Sequence, residues 1–246
     1  MTDPYEFLRR LFATAAGAAD PSISLGRHLP RSTRGRTVIV DAGKAAAAMA
    51  HAVEQEWPGE ISGAVVTRYG HRAPTKRIEV VEAARAAAEF AERAGVRACI
   101  LGDAIEDEAR EVARVMAPIA KSVATHSAPL SPPCVLLSGG ETSVTVCGSG
   151  YGGRNVEFLP SLGCELAGHP RIHALACDTD GVDGVDEIAG AILKPDTPVR
   201  GASLGLHLRD SLDRNDGHTF FQALGDAVVT GPTLTNVNDF RAILVI

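Results

Sequence analysis

Residues 136–158 read LLSGGETSVTVCGSGYGGRNVEF, where two glycine-rich turns separate an apolar segment, an alternating segment and the start of a helix. Glycine concentrates where the backbone takes a positive φ angle or where a ligand approaches the main chain closely. Backbone N–H groups and an arginine side chain offer convergent donors that suit anionic oxygens. The stretch therefore predicts an anion-binding site at a strand–turn–helix junction. Its candidate binding residues are Ser138, Gly139, Gly140, Glu141, Thr142, Gly150, Gly152, Gly153 and Asn155.

The position of Arg154 strengthens this prediction. A helix is expected to begin near Arg154, and the helix macrodipole favours anions rather than cations at that end. A bound anionic ligand would resolve the conflict. The alternative interpretation is a glycine-rich hairpin with a surface arginine.

Strand, turn and helix alternate along the rest of the chain, which favours an α/β fold. We predict two α/β domains with mostly parallel sheets, residues 1–130 and 131–246, divided where the paired prolines 132–133 stop a helix. Strands are predicted at residues 38–40, 65–67, 78–81, 98–101, 134–137, 144–146, 172–176, 227–229 and 242–246. Helices are predicted at residues 44–55, 83–94 and 106–126, after Arg154, and near residues 189–193.

The composition excludes several classes of protein. The chain has 246 residues, of which 45% are hydrophobic and 22% charged, as in ordinary globular proteins. A net charge of −6 argues against nucleic acid as a partner. No apolar run approaches the ~20 residues of a membrane span. Five scattered cysteines without a CxxC pair are typical of reduced thiols, so we expect a cytoplasmic protein.

A second candidate anion site lies at residues 38–45, VIVDAGKA. A strand that runs through glycine into a helix N-terminus can bind an anion, and Lys44 adds a cation. The segment lacks the first glycine and the Ser/Thr of a nucleotide-binding P-loop. A plain strand-to-helix turn with a solvated lysine explains it equally well.

Closely spaced carboxylates occupy residues 178–187, DTDGVDGVDE. Such groups repel one another unless a cation or donor lies among them, and the spacing suits Mg²⁺. Asp180 and Asp183 are the preferred candidate ligands. Helix capping and turn formation account for at least half of these residues.

Short polar side chains crowd residues 230–239, TGPTLTNVND, between two apolar strands. They either bind a ligand or tie the loop together through bonds to the backbone. Thr235, Asn236 and Asn238 are the candidate ligand contacts.

Together these segments resemble the glycerate 2-kinase family, the MOFRL-type kinases that are also labelled hydroxypyruvate reductases. The segments LLSGGETSVTV, GSGYGGRN, DTDGVDG and FFQALGDAVVTGPTLTNVNDFRAILV follow the family's order and spacing. Nearer the start, AADP, VDAGKAAAAMA and GAVVTRYGH also match. The resemblance covers residues 1–82 and 100–246.

The resemblance implies an ATP-dependent enzyme that phosphorylates the 2-hydroxyl of D-glycerate with Mg²⁺, in a cleft between two α/β domains. It also implies that Lys44 and Arg154 are catalytic. Phosphoryl transfer depends mostly on positioning and on neutralising the charge of the transferring oxygens, which a lysine and an arginine would do.

The chain departs from the family pattern after Glu82, where a large central block of the N-terminal domain is absent. The first domain is therefore expected to be truncated. Asp41 replaces a usual glycine and Val156 a usual glutamine. A negative charge at Asp41 would weaken the neighbouring anion site.

Two interpretations follow. In the first, the chain is an active or weakly active glycerate 2-kinase. In the second, it is a catalytically inactive, internally deleted paralogue that serves as a ligand-binding or assembly module and forms homo-oligomers or is unstable. Hydroxypyruvate reduction is not supported, since no GxGxxG stands between a strand and a helix with an acidic residue ~20 positions later.

Overall fold

The computed structural model describes residues 9–14, 18, 20–31, 35–184 and 187–246. The chain divides into two compact units, Met1–Glu82 and Ala83–Ile246. The compact units therefore divide after Glu82, and the predicted domain boundary at residue 130 falls inside the second unit. The strand and the two helices between residues 83 and 130 belong to the second unit, because the strand pairs within its sheet and the helices pack against that sheet.

The first unit is built on a three-stranded parallel sheet in the order β1-β2-β3. Its elements are α1 (Pro21–Ser24), a 3₁₀ turn (Leu25–His28), β1 (Thr37–Ala42), α2 (Ala46–Glu56), β2 (Ile61–Thr67) and β3 (Ile78–Glu82). The alanine-rich face of α2 covers one side of this sheet, and Ala47, Ala50 and Val53 pack in a core with Val65 and Ile78.

The opposite face of the same sheet is exposed along β1. The side chains of Val38 and Val40 on β1 are 55% and 81% exposed. Parallel sheets normally bury both faces. A three-stranded sheet with one open face is the expected appearance of an α/β domain that lacks part of its structure.

The second unit contains a six-stranded mixed sheet in the order β4-β5-β9-β6-β7-β8. Its strands are β4 (Arg97–Gly102), β5 (Cys134–Gly140), β6 (Ile172–Asp178), β7 (Gly190–Leu193), β8 (Ala227–Val228) and β9 (Asp239–Val245). Its helices are α3 (Ala83–Arg93), α4 (Ala109–His126), α5 (Arg154–Leu166), α6 (Thr197–Ser203), α7 (Leu208–Asp213) and α8 (Gly217–Leu224).

The α/β fold is confirmed, and most strands run in the predicted common direction. The pairing within the second sheet nevertheless differs from the expectation. Only β4 and β5 pair in parallel there, because β9 and β7 run opposite to their neighbours. The C-terminal strand β9 inserts between β5 and β6, and this long-range pairing leaves no local mark in the sequence.

Two local predictions were wrong. Residues 189–193, predicted as a helix, include the strand β7, where a Cβ on Gly190 would lie 1.9 Å from the carbonyl oxygen of Ala176. Glycine thus permits the tight approach of β7 to β6. The predicted strand at residues 144–146 is a loop, whose Thr145 amide donates to the Glu108 carboxylate at 3.1 Å.

Helices α4 and α5 pack against each other and bury one face of the large sheet. Phe158 of α5 and the edge-to-face pair Phe220–Phe221 are fully buried in this core. Among the described residues, no helix has the length and apolar character needed to cross a membrane.

Replacing Phe221 with alanine is expected to reduce the free energy of unfolding of the second unit by about 3–5 kcal/mol, because a fully buried ring leaves a cavity. Phe90→Ala on α3 is the matched control, since that ring is 70% exposed. The control should change stability by less than ~0.5 kcal/mol. Urea unfolding followed by far-UV circular dichroism measures both, and equal losses would contradict the assignment of the core.

Candidate functional site

Several polar residues meet at one edge of the six-stranded sheet. Strand β5 ends at Gly140, β6 ends at Asp178, and the antiparallel β9 begins between them at Asp239. Helix α5 begins at Arg154, as predicted. Ligands of open α/β sheets bind outside the carboxyl ends of the parallel strands, and this edge has that position for β5 and β6.

Two buried carboxylates hold the guanidinium of Arg154. Its Nε donates to Asp239 Oδ1 at 2.8 Å, and its Nη2 donates to Asp178 Oδ2. Burial opposes the charge of this guanidinium, but the hydrogen bond and charge of Asp239, with the charges of Asp178 and Asp183, raise its pKa. Arg154 is therefore a permanently charged group in a fixed orientation, with a side chain that is 28% exposed.

The Asp183 carboxylate caps the start of α5. Its Oδ1 accepts from the Asn155 amide at 3.1 Å and from Asn155 Nδ2 at 3.2 Å, and its Oδ2 accepts from the Val156 amide at 2.8 Å. Burial raises the pKa of Asp183 to about 6 against the pull of these donors. Carboxylates of the protein itself thus offset the conflict between Arg154 and the helix dipole.

A second arginine, Arg241 of β9, lies in the same cluster and is only 1% exposed. Its Nη2 donates at 2.7 Å to Asp239 Oδ2 and at 2.7 Å to Thr142 Oγ1. Its guanidinium also lies 5.4 Å from the centre of the Phe158 ring. Within the described ranges, Arg241 Nε and Nη1 have no hydrogen-bond partner. Asp239 therefore bridges two arginines.

Sequence reasoning missed Asp239 and Arg241 as site residues. The signal that identifies them is a charged pair at alternating positions in DFRAILV, an otherwise apolar terminal strand. Alternate residues of a strand share a face, so both side chains point the same way.

Most glycines of the glycine-rich stretch, residues 136–158, permit close approach between chain segments. A Cβ on Gly139 would lie 2.0 Å from Asp103 Oδ1, and one on Gly140 would lie 2.2 Å from the Ile105 carbonyl oxygen. A Cβ on Gly150 or Gly153 would lie 2.4 Å from an atom of Asp216 or Asp183. Gly152 is less crowded, with its nearest neighbour 3.1 Å away.

The loop that contains the second glycine turn is bound to the segment before α8. Asn215 Oδ1 accepts from the amides of Cys147 and Gly148, each at 2.8 Å. The Gly150 amide donates to the Arg214 carbonyl at 2.9 Å, and Asp216 Oδ1 accepts from the Tyr151 amide at 3.1 Å. Because these amides donate to oxygens of the protein, they are unavailable to a ligand. Among the described residues, the amides of Gly152 and Gly153 make no such bond.

The remaining candidates of the first turn differ in exposure. Ser138 and Thr142 are buried, and Thr142 is the partner of Arg241, whereas the Glu141 side chain is exposed.

The polar loop 230–239 is largely tied to the turn after β6. Asn236 Nδ2 donates to Asp180 Oδ2 at 3.2 Å, and the Thr179 hydroxyl donates to the Asn238 carbonyl at 2.7 Å. This favours the loop-stabilising interpretation of the sequence. Within the described part of the chain, Thr235 Oγ1 and Asn238 Nδ2 are buried without a partner.

The carboxylates of Asp180 and Asp183, the predicted metal ligands, are hydrogen-bonded within the protein. Both oxygens of each carboxylate accept hydrogen bonds from protein N–H groups. Residues 185–186 of the acidic run lie outside the described residues. In the ranges that the structure does describe, no group of three or more His, Cys, Asp or Glu side chains is arranged to hold a metal ion. Magnesium binding by one or two of these carboxylates together with substrate phosphates needs no such group, so Asp180 and Asp183 as its ligands stay a prediction.

Lys44 belongs to the first unit, where its side chain is exposed in the turn between β1 and α2. The Gly43 amide donates to the Val66 carbonyl at 3.0 Å, which fixes this turn against β2. The predicted arrangement of strand, glycine turn and helix N-terminus is present.

Two family models match the chain. The MOFRL family matches residues 134–239, and a domain of unknown function, DUF4147, matches residues 7–116. A "Putative hydroxypyruvate reductase" of Agrobacterium vitis is 31% identical in an alignment that covers 98% of this chain and 94% of that protein. The D-glycerate 2-kinase of Thermotoga maritima is 34% identical over 188 residues, which are 76% of this chain and 43% of that kinase.

Among solved structures, the crystal structure of glycerate kinase from Thermotoga maritima is similar, with a TM-score of 0.66 at 23% identity. The similarity covers 97% of this chain and 68% of that chain, and at this identity it supports the fold.

The alignment with the Agrobacterium vitis protein is longer than the chain itself. It has 412 positions, whereas the chain has 246 residues, so at least 166 positions contain no residue of this chain (412 minus 246). The relative therefore contains long segments without a counterpart here.

Asp239→Asn is expected to destabilise the second unit by about 3–5 kcal/mol, because it leaves two arginines without their shared buried charge. Asp196→Asn is the matched control, since its 3.9 Å pair with Arg200 is at the surface. The control should cost less than ~0.5 kcal/mol. Denaturant unfolding of both variants measures the difference, and a loss for Asp239→Asn no larger than the control's would contradict the bridging role.

Titration of Asp183 is expected to make stability depend on pH. The pKa of this carboxyl rises from its ordinary value of 3.8 to about 6 in the folded chain, chiefly through burial, so the folded chain binds the proton more tightly. This contribution is fully present below about pH 4 and is lost as pH rises through about 6. Two pKa units correspond to roughly 3 kcal/mol.

The measurement is the unfolding free energy of the wild type minus that of Asp183→Asn, at pH values from about 4 to 8. The difference should fall between about pH 4 and 7 and then stay constant. A difference that rises with pH would show that the helix cap lowers the pKa of Asp183 instead.

Proposed function

The chain belongs to the glycerate 2-kinase family, and on that premise we propose that it transfers a phosphoryl group from ATP to the 2-hydroxyl of D-glycerate. The similarity to the Thermotoga maritima D-glycerate 2-kinase supports this activity. The observation that carries the proposal is the fixed guanidinium of Arg154 at the carboxyl ends of β5 and β6.

Arg154 suits phosphoryl transfer because its charge is permanent and its orientation is fixed before the substrate binds. Preorganised donors stabilise developing charge without reorganisation during the reaction. Asp239 and Asp178 hold Nε and one hydrogen of Nη2, so in the described part of the chain the second hydrogen of Nη2 and both hydrogens of Nη1 are left for a phosphate or carboxylate oxygen. The neighbouring Gly152 and Gly153 amides provide further donors beside it.

Lys44 is proposed as the second catalytic cation. It follows a strand and a glycine turn at the start of α2, where a helix N-terminus and an ammonium group both favour an anion. Lysine contributes a point charge, whereas arginine offers directed donors, so the two residues are suited to different parts of a phosphorylated substrate.

Of the polar loop, Thr235 and Asn238 are the proposed ligand contacts, because each has a buried polar atom without a partner in the described ranges. Mg²⁺ enters the proposal as the counter-ion of the nucleotide phosphates, which is its usual place in kinases.

The inactive paralogue is a second candidate, and one observation favours it. The chain lacks at least 166 positions of its Agrobacterium vitis relative, and one face of the three-stranded sheet is open. A domain that buries less surface is less stable. On this proposal the second unit keeps its ligand-binding edge, while the first unit no longer supports turnover.

The test is formation of 2-phosphoglycerate from D-glycerate, ATP and Mg²⁺ by purified protein. Lys44→Ala and Arg154→Lys should each reduce kcat/KM by ~100-fold or more, because a preorganised charge or bidentate donor is lost. Arg209→Lys on the exposed surface of α7 is the control and should retain wild-type activity. Thermal unfolding of each variant separates loss of activity from loss of fold.

Product no higher than in a heat-treated sample, at high enzyme concentration, would contradict the kinase proposal. Calorimetric titration with ATP and with D-glycerate then tests the second candidate. Binding of either ligand without turnover supports an inactive binding module, and binding of neither contradicts it.

A further inference from the structure

The first unit contains a cavity of about 640 Å³ at the amino-terminal ends of its three strands. Arg36 directly precedes β1, Ser62 is the second residue of β2, and Arg77 directly precedes β3; all three line the cavity. Lys44 follows the opposite end of β1. Six strand residues at ~3.3 Å each separate the two ends by roughly 20 Å. The cavity is therefore distinct from the turn that contains Lys44.

Four cationic side chains line this cavity: Arg36, Arg72, Lys76 and Arg77. The cavity lining has one carboxylate, Glu79. Such a concentration of positive charge stands out in a chain with a net charge of −6. Like charges repel when they are held close together, so the arrangement is more favourable with an anion among them.

Neutral acceptors of the protein orient two of these cations. Arg36 Nε donates to Ser62 Oγ at 3.2 Å. The guanidinium of Arg77 donates to the carbonyl oxygens of Gly59 at 3.1 Å and Glu54 at 2.8 Å. These neutral acceptors orient the two side chains, and the Glu54 carboxylate also interacts with the charge of Arg77. Across the residues that the structure describes, none of the four cations forms an ion pair with a carboxylate.

The backbone beside the cavity is itself held in place. The Glu54 carboxylate accepts the amides of Lys76 at 2.8 Å, Arg77 at 2.6 Å and Ile78 at 2.7 Å. It thereby anchors the segment that carries two of the cations to α2. A fixed backbone lowers the entropy cost of ligand binding, which favours a binding site over a mobile surface cluster.

The volume of the cavity and the uncharged side chains that line it indicate the kind of ligand. Small-molecule sites typically have volumes of about 300–1,000 Å³. Val38, which is 55% exposed, provides an apolar contact beneath the cationic side chains, and the hydroxyls of Ser62 and Thr75 add polar ones. A nucleic acid would instead require a continuous basic face.

We propose that this cavity binds a small, multiply charged anion, a phosphorylated or polycarboxylate metabolite, at a site separate from the kinase residues. This inference does not depend on the proposed kinase function. It adds a second anion site to the chain, on the opposite end of the first sheet from Lys44. Ligand binding there would also stabilise the truncated first unit, since a ligand that binds the folded state alone shifts the folding equilibrium.

The experiment is calorimetric titration of the full chain carrying Lys44→Ala, with pyrophosphate as one probe and citrate as the other. The Lys44→Ala substitution removes the proposed kinase lysine, so the remaining heat reports on the cavity and on the edge around Arg154, and substitution of cavity residues separates these two. We expect one anion per chain, with an affinity that falls as salt concentration rises. The tighter of the two probes assigns the ligand class, phosphorylated or polycarboxylate.

Adding Arg72→Gln and Lys76→Gln should weaken the binding of the tighter probe by ~10-fold or more, because two charge-assisted donors are lost. Both side chains are exposed, and an unchanged melting temperature without ligand confirms that the fold is kept. Arg68→Gln is the matched control, since Arg68 bonds to His71 and does not line the cavity.

Absence of heat with both probes would overturn the proposal. So would an affinity unchanged by Arg72→Gln with Lys76→Gln, or an equal loss in the Arg68→Gln control. Kinase activity is measured separately in the chain with Lys44 intact, so failure of this proposal and failure of the kinase proposal give different results.

Discussion

The carboxylate of Asp239 holds the candidate site together. Its Oδ1 accepts from Arg154 Nε and Asn155 Nδ2, and its Oδ2 accepts from Arg241 Nη2. Buried charges are tolerated only when they are paired and hydrogen-bonded, so each of these groups depends on the others. Because Asp239 begins the C-terminal strand, insertion of that strand between β5 and β6 is what orients Arg154. Fold and site are therefore formed by the same event.

The glycine-rich stretch at residues 136–158 shows which structural features a sequence can and cannot predict. Its prediction of a strand, a turn and a helix starting at Arg154 is confirmed. Its glycines, however, mostly accommodate Asp103, Ile105 and Asp216. A ligand and a neighbouring chain segment both select glycine through the same steric constraint. These partner segments lie far away in sequence, so local pattern alone cannot distinguish the two causes.

Predictability also differed between the two units. In the first, alternation of apolar runs and helices was sufficient, since β1, β2 and β3 pair in sequence order. In the second, β9 separates β5 from β6, and the short run at residues 189–193 forms a strand through pairing with two partners. Pairings of this kind depend on tertiary contacts, which override short-range patterns. The proline pair at residues 132–133 lies inside the second compact unit.

The two units differ in how completely they pair their charges and bury their apolar surface, and this difference bears on function. The second unit supplies its own counter-charges: Asp183 caps α5, and Asp178 and Asp239 pair with Arg154. The first unit leaves Val38 and Val40 exposed and collects four cations around one cavity, where the described residues provide no ion pair for them. Any loss of function relative to longer relatives should therefore originate in the first unit, whereas the geometry around Arg154 should survive it.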